Sequence, residues 1–239
     1  MENIVIIDVI ILSFGHNEEL QQVTAMCLES LFNSEDPDKV RFNVIVVESE
    51  NSLSPFQYKQ TKTIYPQLSF GYNKFMNIGI SMTSSPYICI CNNDLLFHPS
   101  WATEILKPFV QFKDVSSASP FCSRHHPKMG FKANDGLKLG YRIRKEIAGW
   151  CLFFKRDILS QTGKLDENYI FWCADNDFSN TLWVLNLHHV LVTSSFVDHL
   201  ENRTLQTHTP ERQDELTNQE VFYFNKKWKC RTGEDWTEQ

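Results

Sequence analysis

The residues best suited to chemistry begin with a carboxylate that follows an apolar run. Residues 87–91 are apolar, and they are followed by Asn92, Asn93 and Asp94. The run predicts a strand buried on both faces, and ligands bind beyond the carboxyl ends of such strands. Asp94 is therefore a candidate ligand for Mg²⁺ or Mn²⁺, which prefer oxygen donors. A simple Asn/Asp turn is the competing interpretation and, for this motif alone, the commoner one.

Asp175 and Asp177 form a second candidate group, because they stand two residues apart close to Trp172. A carboxylate beside an aromatic surface is suited to act as general base for a sugar hydroxyl, whereas an Asp at a helix start is also a good cap. At a helix start the two side chains point about 200° apart, so they cannot easily face one acceptor. Sugar rings stack on aromatic rings, which makes Trp150 and Trp172 candidate acceptor platforms, although most Trp residues are core residues.

A third candidate is His199, which stands in a polar break after an apolar segment. A neutral imidazole there could complete a metal shell, although an ordinary histidine is the commoner outcome. The adjacent His125 and His126 do not share a face of a helix or strand, so they are not predicted to bind a metal. Residues 141–145 are basic, and they fit a solvated strand edge and a phosphate contact equally well.

The elements that must position these residues begin with a β-α-β unit. Residues 8–14 predict a buried strand, residues 18–33 a helix, and residues 42–47 a second strand that leads to Glu48. An acidic residue at this edge can accept from a ribose hydroxyl or a base N–H, or it can be a turn residue. The chain has neither the Gly-rich dinucleotide motif nor a P-loop, which disfavours dinucleotide oxidoreductases and P-loop enzymes.

The later pattern is less regular. Strands are predicted at residues 64–69, 141–145 and 147–154, a loop at residues 116–138, and a final amphipathic helix at residues 211–228 followed by a polar tail. A helix that opens at Gly71 contains Gly79. An internal glycine costs about 1 kcal/mol relative to alanine, so Gly79 indicates close packing or a ligand.

Composition places the chain among soluble globular proteins. Its 239 residues suit one large domain, with 42% hydrophobic and 22% charged residues and a net charge of −6. The acidic balance disfavours nucleic-acid binding by the whole surface. Seven cysteines without a C-x-x-C pair favour a reducing, cytoplasmic location. The apolar run at residues 4–12 is broken by Asp8 and is too short for a membrane span, so no transmembrane segment is expected.

Several short motifs occur together in a fixed order. They are Cys27-Leu28-Glu29-Ser30-Leu31, Val46-Val47-Glu48, Asn77-Ile78-Gly79-Ile80, Asn92-Asn93-Asp94, Gly149, Lys155-Arg156, Gly163-Lys164-Leu165-Asp166-Glu167, the aromatic residues from Tyr169 to Trp172, Ala174-Asp175-Asn176-Asp177, His199 and the ending around Trp228. Each motif is weak, but their order over residues 7–229 resembles the family 2 inverting glycosyltransferases.

The resemblance implies a GT-A fold, a single Rossmann-like α/β/α domain at residues 1–239 with a mixed, mainly parallel sheet. Residues 7–115 would bind a nucleotide-diphosphate sugar with Mn²⁺ or Mg²⁺, residues 116–229 the acceptor, and residues 230–239 would be a tail. The implied donor-binding residues are Ser13, Asn17, Glu48, Asn77, Asn92, Asn93 and Arg203. The implied metal ligands are Asp94 and His199, the general base is Asp175, and the acceptor side includes Trp150, Trp172 and Asp177.

Three positions depart from the family pattern. Only the last acid of the metal motif is kept, Ala174 replaces a usual Glu, and Glu48 replaces a more usual Asp. A nucleotidyltransferase is an alternative, although residues 15–17 lack its Gly-rich basic loop. A non-catalytic sugar- or nucleotide-binding module is another, against which the retained acids speak. The acceptor is a glycan, a polysaccharide precursor or a hydroxylated base in viral DNA, so nucleic acid is expected only as acceptor.

Overall fold

The computed structural model describes residues 4–200 and 210–232, and within the last helix it describes the side chains of residues 218–229. The strands are β1 (Val5–Ser13), β2 (Val40–Glu48), β3 (Lys62–Ile64), β4 (Tyr87–Cys91), β5 (Leu95–Phe97), β6 (Val115–Phe121), β7 (Leu137–Leu139), β8 (Cys151–Lys155) and β9 (His188–His199). The helices are α1 (Glu18–Phe32), α2 (Tyr72–Ser81), α3 (Trp101–Gln111), α4 (Leu159–Thr162), α5 (Ala174–Val184) and α6 (Pro210–Thr232).

The strands form one mixed sheet in the order β3-β2-β1-β4-β8-β6-β9-β5, with β7 also paired to β9. Pairing is parallel from β3 to β4 and between β6 and β9, and it is antiparallel where β8 inserts and where β5 and β7 join β9. Two buried apolar clusters cover the two faces of the sheet. The α/β fold with a mixed central sheet is thus confirmed.

The three parallel strands β2, β1 and β4 bring their ends to one edge. In the register, Ser13 pairs with Glu48, and Ile11 pairs with Cys91. Helix α2 lies against β1, and a Cβ on Gly79 would collide with Ile10 Cγ2. Gly79 is therefore explained by close packing of helix on sheet, one of the two reasons the sequence offers for it.

Several predicted boundaries were wrong in the second half of the chain. The predicted loop at residues 116–138 contains most of β6 and most of β7, because the buried serines of β6 find hydrogen-bond partners in other parts of the fold. Ser117 Oγ lies 2.7 Å from His189 Nδ1, and Ser119 Oγ accepts from the Ala148 N–H at 2.9 Å. The basic segment at residues 141–145 is a turn held by the Arg142–Glu146 ion pair, not a strand.

The final helix is confirmed as α6, which extends one residue before and four beyond residues 211–228. Of the predicted tail, residues 233–239 lie outside the described residues. None of the described helices combines the length and apolarity needed to cross a membrane.

Candidate active site

The ends of β1 and β2 form a buried polar cradle around Glu48. Glu48 Oε1 accepts from the backbone N–H groups of Gly15 and Glu50, both at 2.9 Å. Its Oε2 is buried and has no hydrogen-bond partner within the part of the chain that the structure describes. A Cβ on Gly15 would lie 2.9 Å from Phe56 Cζ and 3.0 Å from Glu48 Oε2, so the backbone approaches this carboxylate closely. Glu48 therefore has one carboxylate oxygen that can accept a further hydrogen bond.

The other residues of this edge are held by the protein itself. Ser13 Oγ lies 3.0 Å from Thr24 Oγ1 and 3.3 Å from Tyr58 OH, while Asn17 caps α1 by accepting from the Leu20 N–H at 2.9 Å. Asn93 donates to the same Thr24 hydroxyl at 2.8 Å. Ser13, Asn17 and Asn93 therefore shape the edge through bonds to α1 and its neighbours.

A histidine and a second carboxylate at the rim carry no recognisable motif in the sequence. His16 Nδ1 lies 2.6 Å from Glu50 Oε2, and the His16 ring stacks on Phe14 with centroids 5.6 Å apart. Hydrogen bonds from Ser52, and then from His16, lower the pKa of Glu50 to about 2. The rim therefore carries a stably ionised carboxylate next to an aromatic stack.

Asp94 and His199 meet beside this edge. The pairing of β5 with β9 sets Leu95 opposite His199, and the Leu200 N–H donates to the Asp94 carbonyl at 2.9 Å. Asp94 Oδ1 and His199 Nε2 are 3.2 Å apart, and the Asp94 side chain is 6% exposed. Adjacent ligands of an octahedral divalent cation are about 3 Å apart, so the spacing and the O/N donor set fit one ion. Across the described residues no cluster of three or more His, Cys, Asp or Glu side chains could hold a metal.

Trp150 packs against His199 of the Asp94–His199 pair. The indole and the His199 ring are stacked at 5.3 Å with an interplanar angle of 9°, and His125 and His126 contact the indole from other sides. The Asn92 N–H donates to the Trp150 carbonyl at 3.0 Å. With Trp150 only 8% exposed, its ring supports the Asp94–His199 pair and offers little surface to a sugar.

Asp175 lies against Gly149, the residue that precedes Trp150. A Cβ on Gly149 would lie 2.9 Å from the Asp175 Cβ and would collide with its carboxylate. Burial raises the pKa of Asp175, while hydrogen bonding to the Asn176 N–H and the charge of Arg144 oppose the shift. Gly149 and Trp150 are consecutive, so this dipeptide contacts both Asp175 and the His199 of the Asp94–His199 pair.

Asp177 points elsewhere, as the helical spacing predicts. Its Oδ1 accepts from Lys227 Nζ at 2.6 Å and from Trp228 Nε1 at 2.9 Å, both on α6. Burial raises the pKa of Asp177, and Lys227 counteracts the shift. Asp177 therefore attaches α5 to α6, whereas Asp175 faces Gly149.

Two of the remaining predicted residues belong to or contact the segment that leads to Asp175, and one cannot be placed. Trp172 is half-buried three residues before Asp175. Asn77 donates to the Leu165 carbonyl and to Glu167, and it accepts from the Leu165 N–H, so its amide connects α2 to the loop before Trp172. Arg203 lies outside the described residues.

The structure combines a mixed sheet, an acidic edge at the ends of its parallel strands, a carboxylate–histidine pair and a half-buried aspartate against Gly149. Its fold is that of a GT-A glycosyltransferase domain. The chain matches the model of glycosyl transferase family 2 over residues 9–159 and belongs to that family. The matched stretch contains Glu48, Asp94 and Gly149-Trp150, and it ends before Asp175 and His199.

Solved structures share the fold. They include GalNAc-T7 with UDP, GalNAc and Mn²⁺ (TM-score 0.63, 12% identity, 83% of this chain and 44% of that chain). The mannosyltransferase PcManGT from Pyrobaculum calidifontis with GDP-Man and Mn²⁺ has a TM-score of 0.61 at 13% identity, covering 85% of this chain and 59% of that chain. The catalytic domain of Drosophila beta1,4galactosyltransferase 7 with xylobiose has a TM-score of 0.52 at 13% identity, covering 84% and 72%. No curated protein sequence matches the chain.

Proposed function

We propose that this chain transfers a sugar from a nucleotide-diphosphate sugar to an acceptor hydroxyl with inversion of configuration. The observation that carries the proposal is the dipeptide Gly149-Trp150. Its glycine lies against Asp175, and its indole stacks on His199 of the Asp94–His199 pair. The dipeptide thus contacts a candidate base through its glycine and a candidate cation site through its indole, next to the end of β4.

The donor is assigned to the edge at Glu48. Glu48 Oε2 can accept a hydrogen bond from an N–H of the nucleobase or from a ribose hydroxyl. Asn92 is half-buried beside this edge, and its backbone is fixed by Trp150. The surface under the nucleotide is formed by Ser13, Asn17 and Asn93. Arg203 is assigned as a phosphate contact on the basis of the family resemblance alone. Asn77 we assign to positioning the loop rather than to the donor.

Asp94 and His199 would hold Mn²⁺ or Mg²⁺. Bound there, the cation would neutralise the charge on the departing nucleoside diphosphate. The neighbours GalNAc-T7 and PcManGT were solved with Mn²⁺, which supports a divalent cation for this chain. Trp150 fixes the plane of the His199 ring, so that its Nε2 stays directed at Asp94.

Asp175 takes the proton of the acceptor hydroxyl in this proposal. The acceptor oxygen forms a bond to the anomeric carbon from the face opposite the diphosphate, whose bond to that carbon breaks. A raised pKa brings Asp175 closer to the working pH, where a general base is more effective. Trp172 is the acceptor platform. The acceptor is a glycan, a polysaccharide precursor or a hydroxylated base in DNA.

The test is a panel of nucleotide sugars incubated with the protein and Mn²⁺, with release of nucleoside diphosphate as the measurement. We expect release from at least one donor, stimulated by an added acceptor and lost on chelation of the metal. Binding without release by any member would support the non-catalytic module instead. Release of pyrophosphate from a sugar phosphate and a nucleoside triphosphate would support the nucleotidyltransferase.

A further inference from the structure

Helix α6 binds the loop that leads to Asp175 through a buried carboxylate. Glu220 is 4% exposed. Its Oε2 accepts from the N–H groups of Ile170 at 3.0 Å and Trp172 at 2.8 Å, and both carboxylate oxygens lie 3.1 Å from the Phe171 nitrogen. Three consecutive backbone donors thus converge on one side chain. Hydrogen bonds to a charged acceptor are roughly twice as strong as neutral ones.

A second attachment lies seven residues further along the helix, on the same face. Lys227 Nζ lies between two carboxylates, 2.8 Å from Asp166 Oδ2 and 2.6 Å from Asp177 Oδ1. Tyr223 also donates to Asp166, at 3.0 Å. Helix α6 therefore contacts both ends of the loop, which are Asp166 at its start and residues 170–172 near its end.

The same loop is attached to α2 from its other side. Asn73 donates to the Asp166 carbonyl at 2.8 Å, and the Tyr72 N–H donates to the Ile170 carbonyl at 2.8 Å. Residues 166–173 contain no strand or regular helix, and Cys173 has a left-handed φ of 56° at the start of α5. The position of the loop is thus set mainly by individual side chains, together with the one backbone bond from Tyr72, because no sheet ladder fixes it.

We infer that Glu220 is a positioning residue for sugar transfer, holding the Ile170–Trp172 backbone so that Trp172 and Asp175 face the same acceptor. The inference rests on the proposed function. The hydrogen bonds of Glu220 go to the backbone of residues 170–172, so it acts through these three N–H groups between α6 and α5. By this assignment α6 completes the acceptor side and leaves the donor side untouched.

The variants Glu220→Ala and Glu220→Gln test this, with the exposed neighbour Gln219→Ala as matched control. A glutamine keeps an acceptor oxygen but places an amide N–H₂ against backbone donors, so it is the milder change. We expect hydrogen exchange at the amides of residues 170–172 to be fastest in Glu220→Ala, slower in Glu220→Gln and slowest in the wild-type protein. Transfer should fall by about 10- to 100-fold for Glu220→Ala, since a misplacement of about 1 Å can cost 10²-fold. The KM for the donor and the metal-dependent affinity for UDP or GDP should stay at wild-type values.

Three outcomes would overturn the inference. The first is unchanged exchange at residues 170–172, which would show that Glu220 does not hold the loop. The second is faster exchange with wild-type transfer, and the third is loss of nucleotide binding in step with transfer, as a general folding defect would give. If the wild-type protein transfers no sugar from any donor, it is the proposed function that fails, and the exchange measurement still decides whether Glu220 holds the loop.

Discussion

The two sides of the candidate site are built by different means. On the donor side, Glu48 is the last residue of β2 and Asp94 directly precedes β5. Their backbones are fixed by the pairing of Ser13 with Glu48 and of Leu95 with His199. On the acceptor side, Asp175 follows a loop without regular structure. That loop is held by the side chains of Asn73, Asn77, Glu220 and Lys227.

The difference predicts how each side responds to substitution. A ladder distributes its hydrogen bonds over many backbone groups, so a distant side-chain change leaves Asp94 in place. A loop tied by single side chains depends on each of them, because a removed partner leaves buried groups unsatisfied. Remote substitutions should therefore affect the acceptor side and spare the donor side.

The largest expected effect is that of Asp94→Asn. Loss of this carboxylate removes a charged ligand, and the bound cation is worth several kcal/mol to the transition state, so metal-dependent donor turnover should fall by at least about 10³-fold. The measurement is release of nucleoside diphosphate over a Mn²⁺ titration. The matched control is Asp114→Asn, since Asp114 pairs with His188 at the opposite end of β9. Wild-type turnover by Asp94→Asn would remove Asp94 from the metal site.

Asp175→Asn should affect transfer alone. Removal of a general base lowers the rate by about 10² to 10⁴-fold, while the donor side is unchanged. Transfer rate and nucleotide affinity are the measurements, with Asp177→Asn as the control two residues away. If Asp177→Asn loses transfer and Asp175→Asn keeps it, the base is Asp177. If both transfer normally, the segment has no catalytic role.

The raised pKa of Asp175 gives opposite pH dependences for activity and stability. Only the ionised carboxylate accepts a proton, so transfer at saturating Mn²⁺ should rise with pH through a pKa above the usual value of about 3.9. The folded protein holds this proton more tightly than the unfolded chain does, so ionisation lowers the free energy of unfolding as the pH rises. Asp175→Asn should remove this part of the stability profile, which denaturant titrations at several pH values would measure. An unaltered profile would contradict the assignment.

The smallest effect on activity is expected for Lys227→Met. The ammonium bridges Asp166 and Asp177 and is largely buried, so its loss leaves two carboxylates without their shared cation. We expect the free energy of unfolding to fall by about 1–3 kcal/mol, with transfer reduced only in proportion to loosening of the loop. The control is the exposed neighbour Lys226→Met. Equal stability of the two variants would mean that α6 is not anchored through Lys227.

The sequence predicted the donor side well, because there local pattern and tertiary structure agree. The apolar run at residues 87–91 is β4 with those bounds, and the helix predicted from residue 18 is α1. His199 does stand at a strand end. Continuous apolar strands and amphipathic helices can be recognised from their hydrophobic pattern. The same elements determine where the edge of the sheet lies, and the donor-side residues stand at that edge.

The acceptor side was predicted less completely, because its order depends on long-range polar contacts. Strand β6 resembles a loop in composition, and the partners of Ser117 and Ser119 lie far away in the sequence, at His189 and Ala148. Glu220 stands 48 residues from Trp172, and no motif marks it as the partner of that backbone. The spacing did predict that Asp175 and Asp177 point in different directions. It could not show that Lys227 and Trp228 donate hydrogen bonds to Asp177.

The most direct test of the account is calorimetric binding of UDP and GDP, with and without Mn²⁺, to the wild-type protein, Asp94→Asn and Asp175→Asn. The account predicts metal-dependent binding of at least one nucleotide by the wild-type protein and by Asp175→Asn, and its loss in Asp94→Asn. Binding of neither nucleotide by the wild-type protein, or equal metal-dependent binding by all three proteins, would contradict it.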